Sequence, residues 1–201
     1  LFLTGGPRRT ETADRRVNST TNVTNFDNRA DSTTFSTGVV YHLDRAKTVT
    51  LYANANSSFV PTFVRQPDGT TLDPEEGNQL EAGVRFSLAG DRIQGLVSVY
   101  EIKQQNVTQD DPDRSDGDWY IQLDGIRSRG VEFNLNARFT AGWSMMGGYA
   151  YNDSRDTRTG ARSMYAPYHM FTAFNKYTFR TGPLKGLGVF GVFYFLRREF
   201  D

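Results

Sequence analysis

Val131-Glu132-Phe133-Asn134-Leu135-Asn136-Ala137-Arg138-Phe139 places an apolar side chain at every second position and a hydrophilic one between. Successive side chains of an extended strand point to opposite faces, so this stretch is a β-strand with one apolar and one polar face. The same pattern recurs in Leu80, Ala82, Val84, Phe86 and Leu88, set against Glu81, Gly83, Arg85 and Ser87. Slipping that strand by one residue would carry Glu81 and Arg85 onto the apolar face, so its register is strongly specified. Weaker alternation runs through Val49 to Asn56 and Trp143 to Asn152.

Working outward, the alternation predicts eight strands, at 33–43, 48–60, 76–88, 92–106, 117–139, 142–154, 166–180 and 186–198, with no competing helix longer than a turn. The connections at 44–47, 89–91, 140–141 and 181–185 are short. Those at 61–75, 107–116 and 155–165 are long and rich in Asp, Arg, Pro, Thr and Gly. Tight turns alternating with long loops are the mark of an antiparallel transmembrane β-barrel, whose short turns face the periplasm and whose long loops face outward. Residues 1–32 read as an outer loop or flexible segment, because the run near 10–31 is polar, rich in Asn, Thr, Arg and Asp, and falls on the long-loop side of the wall. Residues 33–201 form the barrel part.

Composition agrees. The 201 residues carry 23 basic and 23 acidic side chains, so no net charge draws the chain to nucleic acid. Mean hydropathy is only −0.56, yet there are 15 Phe and 10 Tyr. A barrel reconciles the two, since polar lumen positions offset apolar lipid-facing ones and aromatic residues gather at the two interfaces. The longest apolar run, Leu187 to Leu196, is too short for a membrane-spanning helix and contains two glycines. The opening Leu1-Phe2-Leu3-Thr4-Gly5-Gly6-Pro7 lacks the form of a signal peptide, and the chain is expected to start part-way through a longer protein. There is no cysteine, hence neither disulfide nor thiolate metal site. An eight-stranded barrel can close alone around a side-chain-filled lumen, whereas wide barrels hold a plug, so strand count leaves both open.

Several motifs have simpler explanations than chemistry. Gly186-Leu187-Gly188-Val189-Phe190-Gly191 fits G-x-G-x-x-G, but no helix follows to receive a pyrophosphate. Asp110, Asp111, Asp113, Asp116 and Asp118 concentrate carboxylates without the glycine and bidentate glutamate of a calcium loop, and read as a solvated outer loop. His42 and His169 lie far apart, without a cysteine or a carboxylate cluster, and read as lumen or interface residues. No catalytic and no metal-ligating set emerges.

Five segments, in order, resemble the TonB-dependent siderophore receptor family. They are Ser57-Ser58-Phe59-Val60-Pro61; Leu72-Asp73-Pro74-Glu75-Glu76-Gly77-Asn78-Gln79-Leu80-Glu81-Ala82-Gly83-Val84; Val97 through Val107; Gly125-Ile126-Arg127-Ser128-Arg129-Gly130-Val131-Glu132-Phe133 with its continuation to Asp153; and Pro183 through Val189. The resemblance covers about Val39 to the end, in the C-terminal half of that family's barrel. It implies a barrel of about 22 strands, with an N-terminal plug that this sequence lacks, in the outer membrane of a Gram-negative bacterium. It further implies uptake of a ferric siderophore, with energy passed by the TonB protein to a region outside this sequence. Outer-membrane lipid would surround the wall. No cofactor and no bond-making step are implied. Haem, cobalamin or a glycan remain alternative cargoes.

A ferric siderophore is bulky, rich in oxygen and usually charged, so aromatic surfaces and fixed donors near the outer loops suit it. Phe63, Arg65, Trp119, Tyr120, Arg162 and Tyr165 occupy such positions. The simpler alternative makes Trp119, Tyr120 and Tyr165 part of the outer aromatic girdle. Two other functions compete: a small closed eight-stranded outer-membrane barrel with an adhesion or structural role, and a soluble β-sandwich that binds carbohydrate.

Overall fold

A computed structural model describes residues 1–17, 24–64, 66–114, 119–123, 125–163 and 166–197. The described residues contain eleven strands and no helix: β1 (Phe2–Val17), β2 (Thr24–His42), β3 (Val49–Val60), β4 (Glu75–Leu88), β5 (Ile93–Gln105), β6 (Val107–Asp110), β7 (Tyr120–Leu123), β8 (Ile126–Arg138), β9 (Trp143–Asp156), β10 (His169–Thr178) and β11 (Gly188–Arg197). Nine of them form one antiparallel sheet in the order β1-β2-β3-β4-β5-β8-β9-β10-β11, and β6 with β7 forms a separate two-stranded ribbon. Every wall strand thus lies beside its nearest wall neighbour in sequence, joined by the tight and long connections that the turn residues predict.

Register is continuous across the wall, so one row of directly opposed residues runs Leu3, Val39, Ala53, Ala82, Val99, Val131, Tyr151, His169, Arg197. Opposed residues share a face. One face therefore gathers Leu51, Val84, Val97 and Phe133 in the adjoining row, and the other gathers Tyr52, Glu81, Ser98 and Glu132. Among the described residues no element packs on the apolar face. Val131 is 40% exposed, Val99 52% and Phe193 59%, and no large side chain is fully buried among the described residues. One sheet without a second layer leaves these side chains to a surrounding apolar solvent, which for a barrel is the hydrocarbon of the membrane. A soluble β-sandwich needs a second sheet over that face, and this arrangement excludes it.

The sheet is also open. Among the described residues β1 and β11 each have a neighbour on one side only, so these strands are an arc of a larger cylinder. The small closed barrel is thereby replaced by a wall segment.

Three differences from the sequence-based reading have physical causes. Residues 2–17 and 24–32 are strands rather than loop: β1 and β2 pair along their length, Phe2 opposite Val40 and Arg15 opposite Asp27. Residues before Ser36 in β2 have no register partner on β3, Phe35 N–H meeting only the Ser57 hydroxyl at 2.8 Å, so the hairpin continues past the wall as a two-stranded ribbon. Neither face of that ribbon meets hydrocarbon, which is why its sequence does not alternate. The strand expected at 117–139 is divided, with Tyr120–Leu123 in the β6–β7 ribbon and Ile126–Arg138 in the wall. Asn106, at φ 57°, turns the chain out of β5 and into β6, a left-handed conformation that asparagine tolerates better than most residues. Wall strands consequently number nine where eight were expected.

Two aromatic belts bound the apolar face. At the short-turn end Phe139 and Trp143 lie 4.4 Å apart by ring centroid, and Tyr177 and Phe179 5.1 Å. At the opposite end Tyr149, Tyr151 and His169 cluster, with the Tyr149 hydroxyl 2.8 Å from His169 Nδ1. His169 is thus an interface residue. His42 is on the polar face, 2.8 Å from the Thr50 hydroxyl. The short turns are laced together by arginines: Arg92 Nη2 donates to Phe139 O at 2.7 Å, and Arg180 Nη2 to Ala141 O at 2.7 Å.

Candidate functional site

The polar face is a hydrogen-bonded lattice. Tyr52 donates to Glu81, Gln79 Nε2 reaches the other oxygen of Glu81 at 3.1 Å, and Asn56 Nδ2 donates to Asn54 Oδ1 at 2.9 Å. Polar groups bonded to each other in this way line an aqueous lumen without the cost of an unpaired group.

Above this face the three long connections are fastened to one another. Gln122 of β7 bonds Asp73 twice, accepting from its N–H at 3.1 Å and donating to its carbonyl at 2.6 Å. It also donates to Asn106 O at 3.0 Å, while Asn106 Nδ2 donates to Pro74 O at 3.0 Å. Glu75 accepts from the Thr108 N–H at 2.9 Å. The β6–β7 ribbon is thus tied to the β3–β4 connection. On its other side Thr157 donates through its N–H to Gly125 O at 3.0 Å, which joins the β9–β10 connection to the start of β8. Asp68 in the β3–β4 connection accepts from the N–H and hydroxyl of Thr70 at 2.9 and 2.7 Å. The backbone bond, first among these contacts, holds its carboxyl below the ordinary carboxylate value.

The candidate residues are distributed over these three connections. Phe63 is half-buried in the β3–β4 connection. Trp119 and Tyr120 lie on the β6–β7 ribbon, with Tyr120 opposite Asp110 and the Trp119 carbonyl accepting from the Asp111 N–H at 2.9 Å. That ribbon is not part of the wall sheet, so these two do not belong to the girdle, which Tyr149, Tyr151 and His169 form instead. Arg162 stands on the β9–β10 connection, donating to Asn152 O at 3.1 Å and Ala166 O at 3.2 Å. Its guanidinium lies 2.8 Å from the centroid of Tyr168. Arg65 and Tyr165 are outside the described residues.

Two partners had no signal of their own in the sequence. Arg114, within the aspartate-rich loop, places its guanidinium 3.9 Å from the centroid of Trp119 and its Nε 3.8 Å from Asp111. Tyr168 underlies Arg162. Asp111 also accepts from the Asp113 N–H at 3.0 Å, so this carboxylate shapes a turn. Asp116 and Asp118 lie outside the described residues. The half-exposed Arg114 on Trp119 presents a flat cationic surface on the outer connections, a chemistry suited to planar or oxygen-rich anionic groups, whereas Tyr168 beneath Arg162 stacks on the girdle residue Tyr151 at 5.8 Å.

Known proteins share this architecture. The family model described as TonB dependent receptor-like, beta-barrel matches residues 1–201. The metal-pseudopaline receptor CntO of Pseudomonas aeruginosa is 33% identical over 155 residues, 74% of this chain and 21% of that protein. The ferrichrome outer membrane transporter/phage receptor of Escherichia coli K12 is 32% identical over 160 residues, 77% of this chain and 21% of that protein. The alcaligin outer membrane receptor FauA of Bordetella pertussis superposes with a TM-score of 0.75 at 19% identity, covering 98% of this chain and 34% of that one. The chain therefore spans about a fifth of the length of the curated relatives it matches. With a family match from end to end, an open antiparallel arc and one face made for hydrocarbon, the chain belongs to the TonB-dependent receptor β-barrel family of the Gram-negative outer membrane.

Proposed function

We propose that the whole protein to which this wall segment belongs takes up a ferric siderophore, with energy delivered by the TonB protein to a region outside this chain. The observation that carries this reading is the fastened outer rim, where Arg114 lies against Trp119 on connections bonded to one another beside a polar-faced wall. Relatives at similar identity are receptors for metal-pseudopaline, ferrioxamine B and ferrichrome, which supports a metal chelate as cargo. Phe63, Arg65, Trp119, Tyr120, Arg162 and Tyr165 are the proposed contact residues. Binding and passage make and break no covalent bond, so the role is that of a receptor rather than an enzyme. Lipid surrounds the wall, and the rim and lumen hold the chelate.

Tryptophan fluorescence of the full-length protein, titrated with ferric hydroxamate, catecholate and mixed-ligand siderophores, is expected to be quenched by one class at submicromolar concentration. Deletion of the gene is expected to slow growth and radioactive iron uptake on that siderophore under iron limitation. Absence of quenching by every class together with unchanged uptake would overturn the reading.

A further inference from the structure

The β6–β7 ribbon brings Arg114 and Trp119 together, yet it is not part of the wall sheet. Its strands pair over four residues each, from Val107 opposite Leu123 to Asp110 opposite Tyr120. Two strands of that length are only marginally stable in water by themselves. What gives the ribbon a fixed place must come from outside it.

That hold is concentrated on Gln122 of β7. Its carboxamide takes both backbone groups of Asp73, accepting from the N–H at 3.1 Å and donating to the carbonyl at 2.6 Å, much as a neighbouring strand would. The same nitrogen donates to Asn106 O at 3.0 Å, where the chain turns out of β5 with φ at 57°. One side chain thus joins β7, the β3–β4 connection 49 positions away and the corner that aims the ribbon. The entry strand β6 has ties of its own, from Asn106 Nδ2 to Pro74 O and from the Thr108 N–H to Glu75. All of these bonds close within the chain and need no cargo. The place calls for one acceptor and two donors on a stem of two methylenes, which is glutamine. An ionised glutamate has the length but no donor, and would set a carboxylate against two carbonyls.

We propose that Gln122 is the positioning residue of the outer rim, locking the β6–β7 ribbon onto the β3–β4 connection before cargo arrives, so that Arg114 and Trp119 receive a chelate in place. The lock stands on the bonds just described, while its consequence for uptake rests on the siderophore reading above. Apparent affinity falls in proportion to the fraction of molecules in the binding-competent form, so an unlocked ribbon binds more weakly without any contact to cargo being removed.

Amide hydrogen exchange of the full-length protein without cargo tests the lock. In Q122A and in the isosteric Q122E, exchange over residues 107–110 and 120–123 is expected to speed up about tenfold or more, with β8 and β9 unchanged. Gel migration before and after heating confirms that both variants fold, since Gln122 lies outside the wall. Radioactive uptake of the siderophore that quenches the native protein tests the consequence. Its half-saturating concentration is expected to rise about tenfold in Q122A at native maximal rate. Adding that siderophore to the native protein is expected to leave exchange of the ribbon unchanged. Native-level protection in both variants would overturn the lock, as would strong new protection of the native ribbon on adding siderophore. A lowered maximal rate at native half-saturation would likewise reduce Gln122 to a structural role. Should no siderophore quench the native protein, the cargo reading falls by itself, and exchange without cargo still decides the lock.

Discussion

The ring of Tyr52 lies across the backbone of Gly83, its directly opposed partner on β4, so that a Cβ at position 83 would stand 2.6 Å from a ring carbon. The same Cβ would meet Val97 O, also at 2.6 Å. Glycine is therefore the residue that lets the tyrosine lie flat and reach Glu81 on the polar face.

Gly83→Ala in the full-length receptor is accordingly expected to destabilise by about 1–3 kcal/mol through overpacking. Combining it with Tyr52→Ala removes the ring but leaves Val97 O in place, so recovery is partial. Urea unfolding midpoints of the two single variants and the double variant measure this. Strict additivity of the three values would show that ring and glycine do not interact.

Leu135 is opposed to Gly147, midway between the aromatic belts on β9. Leu135→Arg puts a charge near the bilayer midplane and is expected to cost about 2–4 kcal/mol. Asn134→Arg, one residue away on the aqueous face, is expected to fold in near-native yield. Folding into phosphatidylcholine vesicles, followed by gel migration before and after heating, separates the two.

Arg162 spans the carbonyls of Asn152 and Ala166 while lying on Tyr168. Both bonds come from Nη2 while the guanidinium plane lies on the ring, and lysine keeps the charge but has no plane to lay there. Arg162→Lys is expected to speed amide hydrogen exchange across residues 157–163 at least severalfold, without changing exchange in β3 and β4. An unaltered exchange pattern would mean that the arginine does not order this connection.

Asp44, in the turn between β2 and β3, accepts from the N–H groups of Thr48 at 2.9 Å and Val49 at 3.3 Å. The Thr48 bond, the largest influence, draws its carboxyl below the ordinary carboxylate value. A carboxyl lowered in the folded state stabilises the turn above the ordinary value, and that stability is lost as pH falls through the folded one. Acidification below about pH 4 is expected to loosen this turn first. In Asp44→Asn the acid-dependent part of its amide exchange should vanish, and persistence of that dependence would assign it to another group.

Much of the wall was legible in the order of residues alone, because hydrocarbon and water impose a period of two on any strand that separates them. Val131 to Phe139 announces its faces, and Asp44-Arg45-Ala46-Lys47 and Ala89-Gly90-Asp91 announce the tight turns. Where both faces of a strand meet water the period disappears, so Pro7–Val17 read as loop although it pairs with β2 along its length. Proximity across strands was equally hidden. Lys103, Arg127 and Arg155 are unremarkable in sequence and become one cationic row through the register of β5, β8 and β9. Arg114 met Trp119, and Arg162 met Tyr168, only when the connections folded over the rim. Which solvent a side chain faces is a local matter that the sequence by itself determined; which side chains share a site depends on pairing between distant segments, and only the tertiary structure decided that.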